Sequence, residues 1–266
     1  NSLTLGALSV GLNGDVILPA DSDMVLDIEF QSLDMSIKSI LSLLPGDYSS
    51  YLENVSADGE VGIEGKVSGV YNELRLPDIN INAMIFNGYL AYQEYPLPIE
   101  EVQLEAALVI PGVNMDLLSF SMPHFSMQVE GQDFQAQMEF NNLANYTWDL
   151  NASGGLDLGK IFQIIPVEGM DLKGLISGSF ETSGNMLLIE EEKYEQLPTK
   201  GRVQVTDFSI SDETLPVDIR ITEADLSFDN EQIALTQFKV LFGESDLQMT
   251  GTLENFIGYA LEPSEV

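Results

Sequence analysis

Val203-Gln204-Val205-Thr206-Asp207-Phe208-Ser209-Ile210 places apolar side chains at Val203, Val205, Phe208 and Ile210. The spacing i, i+2, i+5, i+7 is β alternation with one extra residue inserted, the sequence mark of a bulged strand. Far upstream, Ile79, Ile81, Met84 and Phe86 run through the same spacing. A phase slip that recurs in two distant strands predicts an internal repeat, and a repeat decides the architecture before any single element does.

Outward from these strands the two halves share an ordered series of features. Leu33-Asp34-Met35-Ser36 leads into Ile37, Ile40, Leu41 and Leu44, then Pro45; Leu156-Asp157-Leu158-Gly159 leads into Ile161, Phe162 and Ile165, then Pro166. Each predicts a short amphipathic helix stopped by proline. A Gly-rich strand follows. Gly59, Gly62, Gly65 and Ser68-Gly69 answer Gly174, Gly178 and Ser183-Gly184, where missing side chains predict bulges or close backbone approach. Beyond the bulged strands, Leu97-Pro98-Ile99 answers Leu215-Pro216-Val217, and Glu105-Ala106 recurs as Glu223-Ala224. The same offset pairs Leu108 with Leu226, Ile110 with Phe228, Met115 with Ile233, Leu117 with Leu235 and Phe120 with Phe238. Asn142-Leu143-Ala144-Asn145-Tyr146 and Asn255-Phe256-Ile257-Gly258-Tyr259 close the halves. The chain therefore reads as 1–30, the tail of a preceding repeat, 31–146, a first β repeat, and 147–266, a second. No linker composition separates the halves, so one continuous structural unit is expected.

Runs of strand length fill most of the chain, as at 203–210, 218–228, 232–240 and 246–253, with turn residues Asp229-Asn230 and Gly243-Glu244 between them. Polar residues alternate with apolar ones, which predicts antiparallel strands with one wet face. The expected fold class is all-β with a few short helices, including one near 190–196. It is a tandem-repeat, long curved antiparallel sheet, half-pipe or groove-like, with one apolar face. That face can be covered by a sandwich partner, by curling or by the short helices; the residues leave the choice open.

Composition narrows the function classes. Ten Lys and Arg face 43 Asp and Glu in 266 residues, a formal net charge of −33. Such a chain repels phosphate backbones and anionic headgroups, so no nucleic-acid partner is expected. With no Cys, disulfide, thiolate and Cys–metal chemistry are removed. No apolar run approaches the ~18 residues of a membrane span. Leu3, Leu5, Leu8, Val10 and Leu12 open the chain directly in a strand pattern, as expected of a segment cut from a longer array.

Chemistry is sparse. His124 is the single histidine, and a triad or His-based metal site needs partners that the pattern does not supply. Asp21-Ser22-Asp23 and Glu190-Glu191-Glu192 lack calcium-loop spacing. Gly59, Gly62 and Gly65 fit no phosphate-loop pattern and recur as a strand. No catalytic residue, metal site or cofactor is expected, and the protein reads as a non-enzyme. Tyr89, Tyr92 and Tyr95 read as strand packing. Met84, Met115, Met122, Met127, Met138 and Met249 fall at apolar strand positions, where methionine fills ordinary cores and also suits irregular acyl partners.

The stretch from Leu215-Pro216-Val217 through Ala224-Asp225-Leu226-Ser227-Phe228 and Phe238 resembles the AsmA family of bacterial envelope proteins, TamB-like relatives included. The likeness continues through Gly243-Glu244-Ser245-Asp246-Leu247 into Gly251-Thr252-Leu253-Glu254-Asn255-Phe256. It extends over nearly the whole chain as a cadence of apolar, Gly and Asn positions. The resemblance implies a periplasmic location, with an inner-membrane anchor in the full-length protein supplied by a segment this chain lacks. It implies a role in outer-membrane biogenesis or homeostasis, and phospholipid or another acyl lipid carried along an apolar β-groove, with envelope proteins as further partners. The candidate groove residues are Ile79, Ile81, Met84, Phe86, Val203, Val205, Phe208, Ile210, Leu226, Phe228, Ile233 and Leu235. The alternative is a structural or protein-interaction scaffold assisting outer-membrane protein assembly; an enzyme acting on envelope carbohydrate comes last.

Overall fold

Alternation of apolar and polar side chains is realised as one open antiparallel sheet. The computed structural model describes residues 2–5, 8–19, 23–33, 35–41, 55–92, 98–129, 131–159, 170–212, 219–243 and 245–254. The strands are β1 (Ser2–Leu5), β2 (Leu8–Ile17), β3 (Met24–Leu33), β4 (Met35–Ser36), β5 (Val55–Tyr71), β6 (Asp78–Tyr92), β7 (Ile99–Ile110) and β8 (Ser119–Val129). They continue as β9 (Gln132–Asn141), β10 (Thr147–Asp157), β11 (Met170–Asn185), β12 (Thr199–Asp212), β13 (Ile219–Phe228), β14 (Gln232–Phe242) and β15 (Ser245–Glu254). In space they follow chain order, β1-β2-β3-β5 and onward to β15, with β4 paired to β5 off this path. Sequential hairpins need only short connections, the simplest way to build a sheet. Helix is confined, among the described residues, to short pieces such as α1 (Ile37–Leu41) and α2 (Met186–Glu190). By contact the chain divides into two units, Asn1–Gln128 with Gln137–Thr147, and Val129–Ala136 with Trp148–Val266.

In the first unit, register assigns each side chain to a face. Val67 pairs with Ile28 and Ile79, and Ile79 with Ile110; Gly65 pairs with Phe30 and Ile81, and Ile81 with Leu108. Directly opposed residues in an antiparallel pair share a face, so these rungs form an apolar surface. The reverse face carries Asp27, Glu29, Lys66, Asn80 and Asn82. Lys66 Nζ bridges Asp27 at 2.6 Å and Glu29 at 3.7 Å. Hydrogen bonding to Asp27 raises the Lys66 ammonium above the usual lysine range.

The tightest packing in this unit lies under α1. Met35, Ile37, Ile99 and Val102 are buried. Ser36 Oγ accepts from Ser39 N at 3.2 Å and starts the helix as a cap. The helix fits because two glycines make room. A Cβ on Gly59 would lie 3.1 Å from the Ile37 side chain, and one on Gly88 would lie 2.7 Å from Val102 Cβ. The helix predicted from Ile37 through Leu44 is thus present at its start, while Leu44 and Pro45 lie outside the described residues. Its counterpart, Ile161, Phe162, Ile165 and Pro166, also lies outside them. The helix expected at 190–196 begins earlier, at Met186, where Asn185 Oδ1 caps Leu188 N at 3.0 Å; a 3-10 turn follows at Tyr194–Gln196.

The second unit carries the bulge predicted at 203–210. Asp207 has φ 50°, and β12 places two residues (Asp207 and Phe208) against one on β11 (Gly174). Val203, Val205, Phe208 and Ile210 therefore stay on one face, paired with Leu226, Ala224, Ile221 and Ile219. In the first unit the bulge sits elsewhere than predicted. Register through 79–85 is unbroken on both sides, so Met84 and Phe86 fall on the face opposite Ile79 and Ile81. The slip comes at Asn87, also at φ 50°. Gly59 against Asn87-Gly88 repeats as Gly174 against Asp207-Phe208. This matches Ala83 with Val203, Ile85 with Val205 and Leu108 with Phe228, two to four residues away from the correspondence read from apolar spacing.

Candidate functional site: the apolar sheet face

In the second unit the apolar residues stand in rungs across four strands. Gly201, Phe228, Ile233 and Leu253 make one rung; Val203, Leu226, Leu235 and Gly251 the next. Val205, Ala224, Phe238 and Met249 follow, then Phe208, Ile221, Val240 and Leu247. Bulges at Asp207, Thr222 and Thr236 keep the rungs in phase across strands of unequal count. Gly201 leaves the space that Phe228 fills, and Phe180 completes an aromatic pair with Phe228 at 5.9 Å between ring centroids.

All eight candidates in this unit, Val203, Val205, Phe208, Ile210, Leu226, Phe228, Ile233 and Leu235, share that face. Of them Val205 is buried and the others are half-buried. Ile219, Ile221, Phe238, Val240 and Phe242 belong to the same surface, although spacing alone did not select them. Exposure rises toward β15: Val240 is 2 % exposed, while Leu247, Met249 and Leu253 are 43, 41 and 56 % exposed. A sheet packed face to face on a second sheet would bury its whole inner face; here full burial is confined to the middle.

In the first unit Ile79 and Ile81 lie on the apolar face, together with Ala83, Ile85 and Leu104, which were not predicted. Met84 and Phe86 do not join them. Met84 sits over Gly62 among acidic neighbours, and Phe86 is 43 % exposed opposite Glu60. The signal that could have sorted them is Asn87-Gly88: Asn accepts positive φ, and Gly takes the crowded site next to it.

The reverse face of the second unit is polar and ion-paired. Arg202 donates twice to Asp225, at 3.1 and 2.7 Å, and Gln204 adds a third contact. Hydrogen bonding to Arg202 lowers the Asp225 carboxyl and raises the guanidinium. Lys239 meets Glu223 at 2.9 Å, and Lys200 meets Glu181 at 2.9 Å. One surface is thus polar and the other apolar.

Catalytic geometry is thin. His124 Nε2 lies 3.4 Å from Ser126 Oγ on an exposed strand. Among the described residues no group of three His, Asp or Glu side chains could hold a metal ion, and no helix is long and apolar enough to cross a membrane. Of the methionines, Met115 lies in a 3-10 turn (Met115–Leu117) and not in a strand. Comparison of the chain with protein-family models, curated proteins and solved structures found no match.

Proposed function

We propose that this chain is a non-enzymatic lipid-binding segment whose apolar sheet face takes up acyl chains. The observation that carries the reading is the one-sided sheet. Large aliphatic and aromatic side chains stand in continuous rungs on one face, half-exposed, while ion pairs cover the other. Apolar area left in water costs roughly 25 cal/mol per Å², and a contiguous patch of this kind marks an interaction surface. Acyl chains suit it because the rungs offer long apolar rows with few polar groups to fix a headgroup or a reacting bond. The resemblance to the AsmA family gives the setting: a periplasmic segment of an inner-membrane-anchored protein serving outer-membrane biogenesis, with phospholipid as cargo.

Uptake of a fluorescent fatty acid tests this directly. Leu226→Asp or Ile233→Asp places a charge on the apolar face and should reduce uptake at least about tenfold, the equivalent of 1.4 kcal/mol. Gln204→Asp places the same charge on the polar face and should leave uptake unchanged. Equal uptake by all three, with circular dichroism showing folded protein, would sink the assignment.

A second reading, a protein-interaction scaffold, draws on β15. All its residues are exposed, and among the described residues nothing pairs with its outer edge. Such an edge can accept a strand from another protein.

A further inference from the structure

Among the described residues of the first unit, the large apolar side chains that are most exposed gather on one rim. β2, β5 and β7 run toward it and β3, β6 and β8 run away, so the turns after β2, β5 and β7 share it. Leu18, Leu74 and Val113 stand on these turns at 72, 97 and 76 % exposure, with Ile17, Met115 and Leu117 beside them.

Hydrogen bonds between described residues link neighbouring tips. Asn72 Nδ2 donates to Asp23 Oδ1 at 3.0 Å, tying the first tip to the second. Gly112 N donates to Asp78 Oδ1 at 2.8 Å, tying the second to the third. Leu143 N donates to the Asp116 carbonyl at 2.8 Å, tying the third to the turn that precedes β10. Inside the tips, Asn72 Oδ1 accepts from Leu74 N at 2.9 Å, and Asn114 Oδ1 accepts from Asp116 N at 3.1 Å. Leu74 N, Gly112 N and Asn114 N, at or beside the protruding residues of the second and third tips, already have acceptors. Entering a bilayer strands any amide without one, and these three amides avoid that cost.

We propose that this rim docks on the surface of a zwitterionic lipid bilayer, with Leu18, Leu74 and Val113 entering the headgroup–acyl boundary. Net charge chooses the lipid: at −33 an anionic surface repels the chain, and Glu73 and Asp116 within the tips add to that. Side-chain form suits a bilayer. Insertion into a fluid interface needs only protruding apolar groups, and Leu18, Leu74 and Val113 are three such groups on neighbouring turns. The rim is continuous with the apolar sheet face through the Val16–Leu26 and Ile79–Ile110 pairs. Docking goes beyond the acyl-binding reading and stands without it.

The test is flotation of the purified chain with phosphatidylcholine vesicles, against the triple variant Leu18→Ser, Leu74→Ser, Val113→Ser. These side chains support no core, so the variant should fold, as circular dichroism will check. Wild type should float, and the variant's partition should fall at least about tenfold through lost apolar transfer. Adding about a fifth of phosphatidylglycerol should weaken wild-type binding at low salt, with recovery as salt screens the repulsion. Wild type that stays at the bottom, a variant that floats equally, or tighter binding to the anionic vesicles would overturn the proposal. So would lipid-free self-association lost in the triple variant without vesicle binding, which would assign the rim to a protein contact. Fatty-acid uptake separates the two readings: the rim variant should retain it, and Leu226→Asp should lose it while still floating.

Discussion

A Cβ added to Gly88 would lie 2.7 Å from Val102 Cβ and 3.0 Å from the Ile37 side chain. Gly88→Val should therefore destabilise the first unit by about 1–3 kcal/mol, the usual cost of overpacking, read as a lower denaturant midpoint; an unchanged midpoint would show that α1 does not hold this core. On the polar face the Arg202–Asp225 pair makes a pH prediction. The folded-state pKa of Asp225 is lowered, so its contribution is present above the ordinary carboxylate range and is lost as pH falls through the folded value. Arg202 is exposed and Asp225 only half-buried, so the effect is small. Stability of Asp225→Asn should sit slightly below wild type at pH 7 and converge with it in acid; denaturation across pH gives the comparison. At this scale the sequence is legible in part. Val203, Val205, Phe208 and Ile210 share a face as their spacing implies. Met84 and Phe86 mimic that spacing without its cause, because the bulge at Asp207 turns on a residue held at positive φ, and in the first unit Asn87 supplies that conformation later in the strand.

Strands were the most legible elements. Runs at 232–240 and 246–253 became β14 (Gln232–Phe242) and β15 (Ser245–Glu254), since turn residues bound them and a one-residue slip would turn every apolar side chain to water. Asp229 Oδ1 accepts from Glu231 N and Gln232 N and builds the turn expected at Asp229-Asn230. The offset between halves was less legible. Val, Ile, Leu and Phe exchange freely on an apolar face, so apolar identity cannot fix register, whereas the pairing of Gly174 with Asp207 and of Gly59 with Asn87 can. Replacing Gly174, which has φ 116°, by Val should cost at least about 1 kcal/mol, through positive φ for a branched residue and collision with Phe208 backbone. Hydrogen exchange should then show faster opening of β11 and β12 than of β14 and β15; uniform acceleration would contradict a local role for the bulge.

For the whole molecule, a charge of −33 makes self-repulsion the leading electrostatic effect, and the ion pairs among the described residues are largely solvent-exposed and weak. Raising salt should therefore raise the thermal midpoint by a few degrees; a fall would mean that the cross-strand pairs outweigh the repulsion. The all-β class, the repeat and the single apolar face were all legible from alternation. Whether a second layer covers that face was not, because covered and uncovered sheets share one pattern of alternation. The most direct test of acyl binding is native mass spectrometry of the purified chain followed by organic extraction. Bound phospholipid at near-integer stoichiometry, lost in Leu226→Asp, is the predicted result. A lipid-free protein that stays lipid-free after incubation with phospholipid would contradict it.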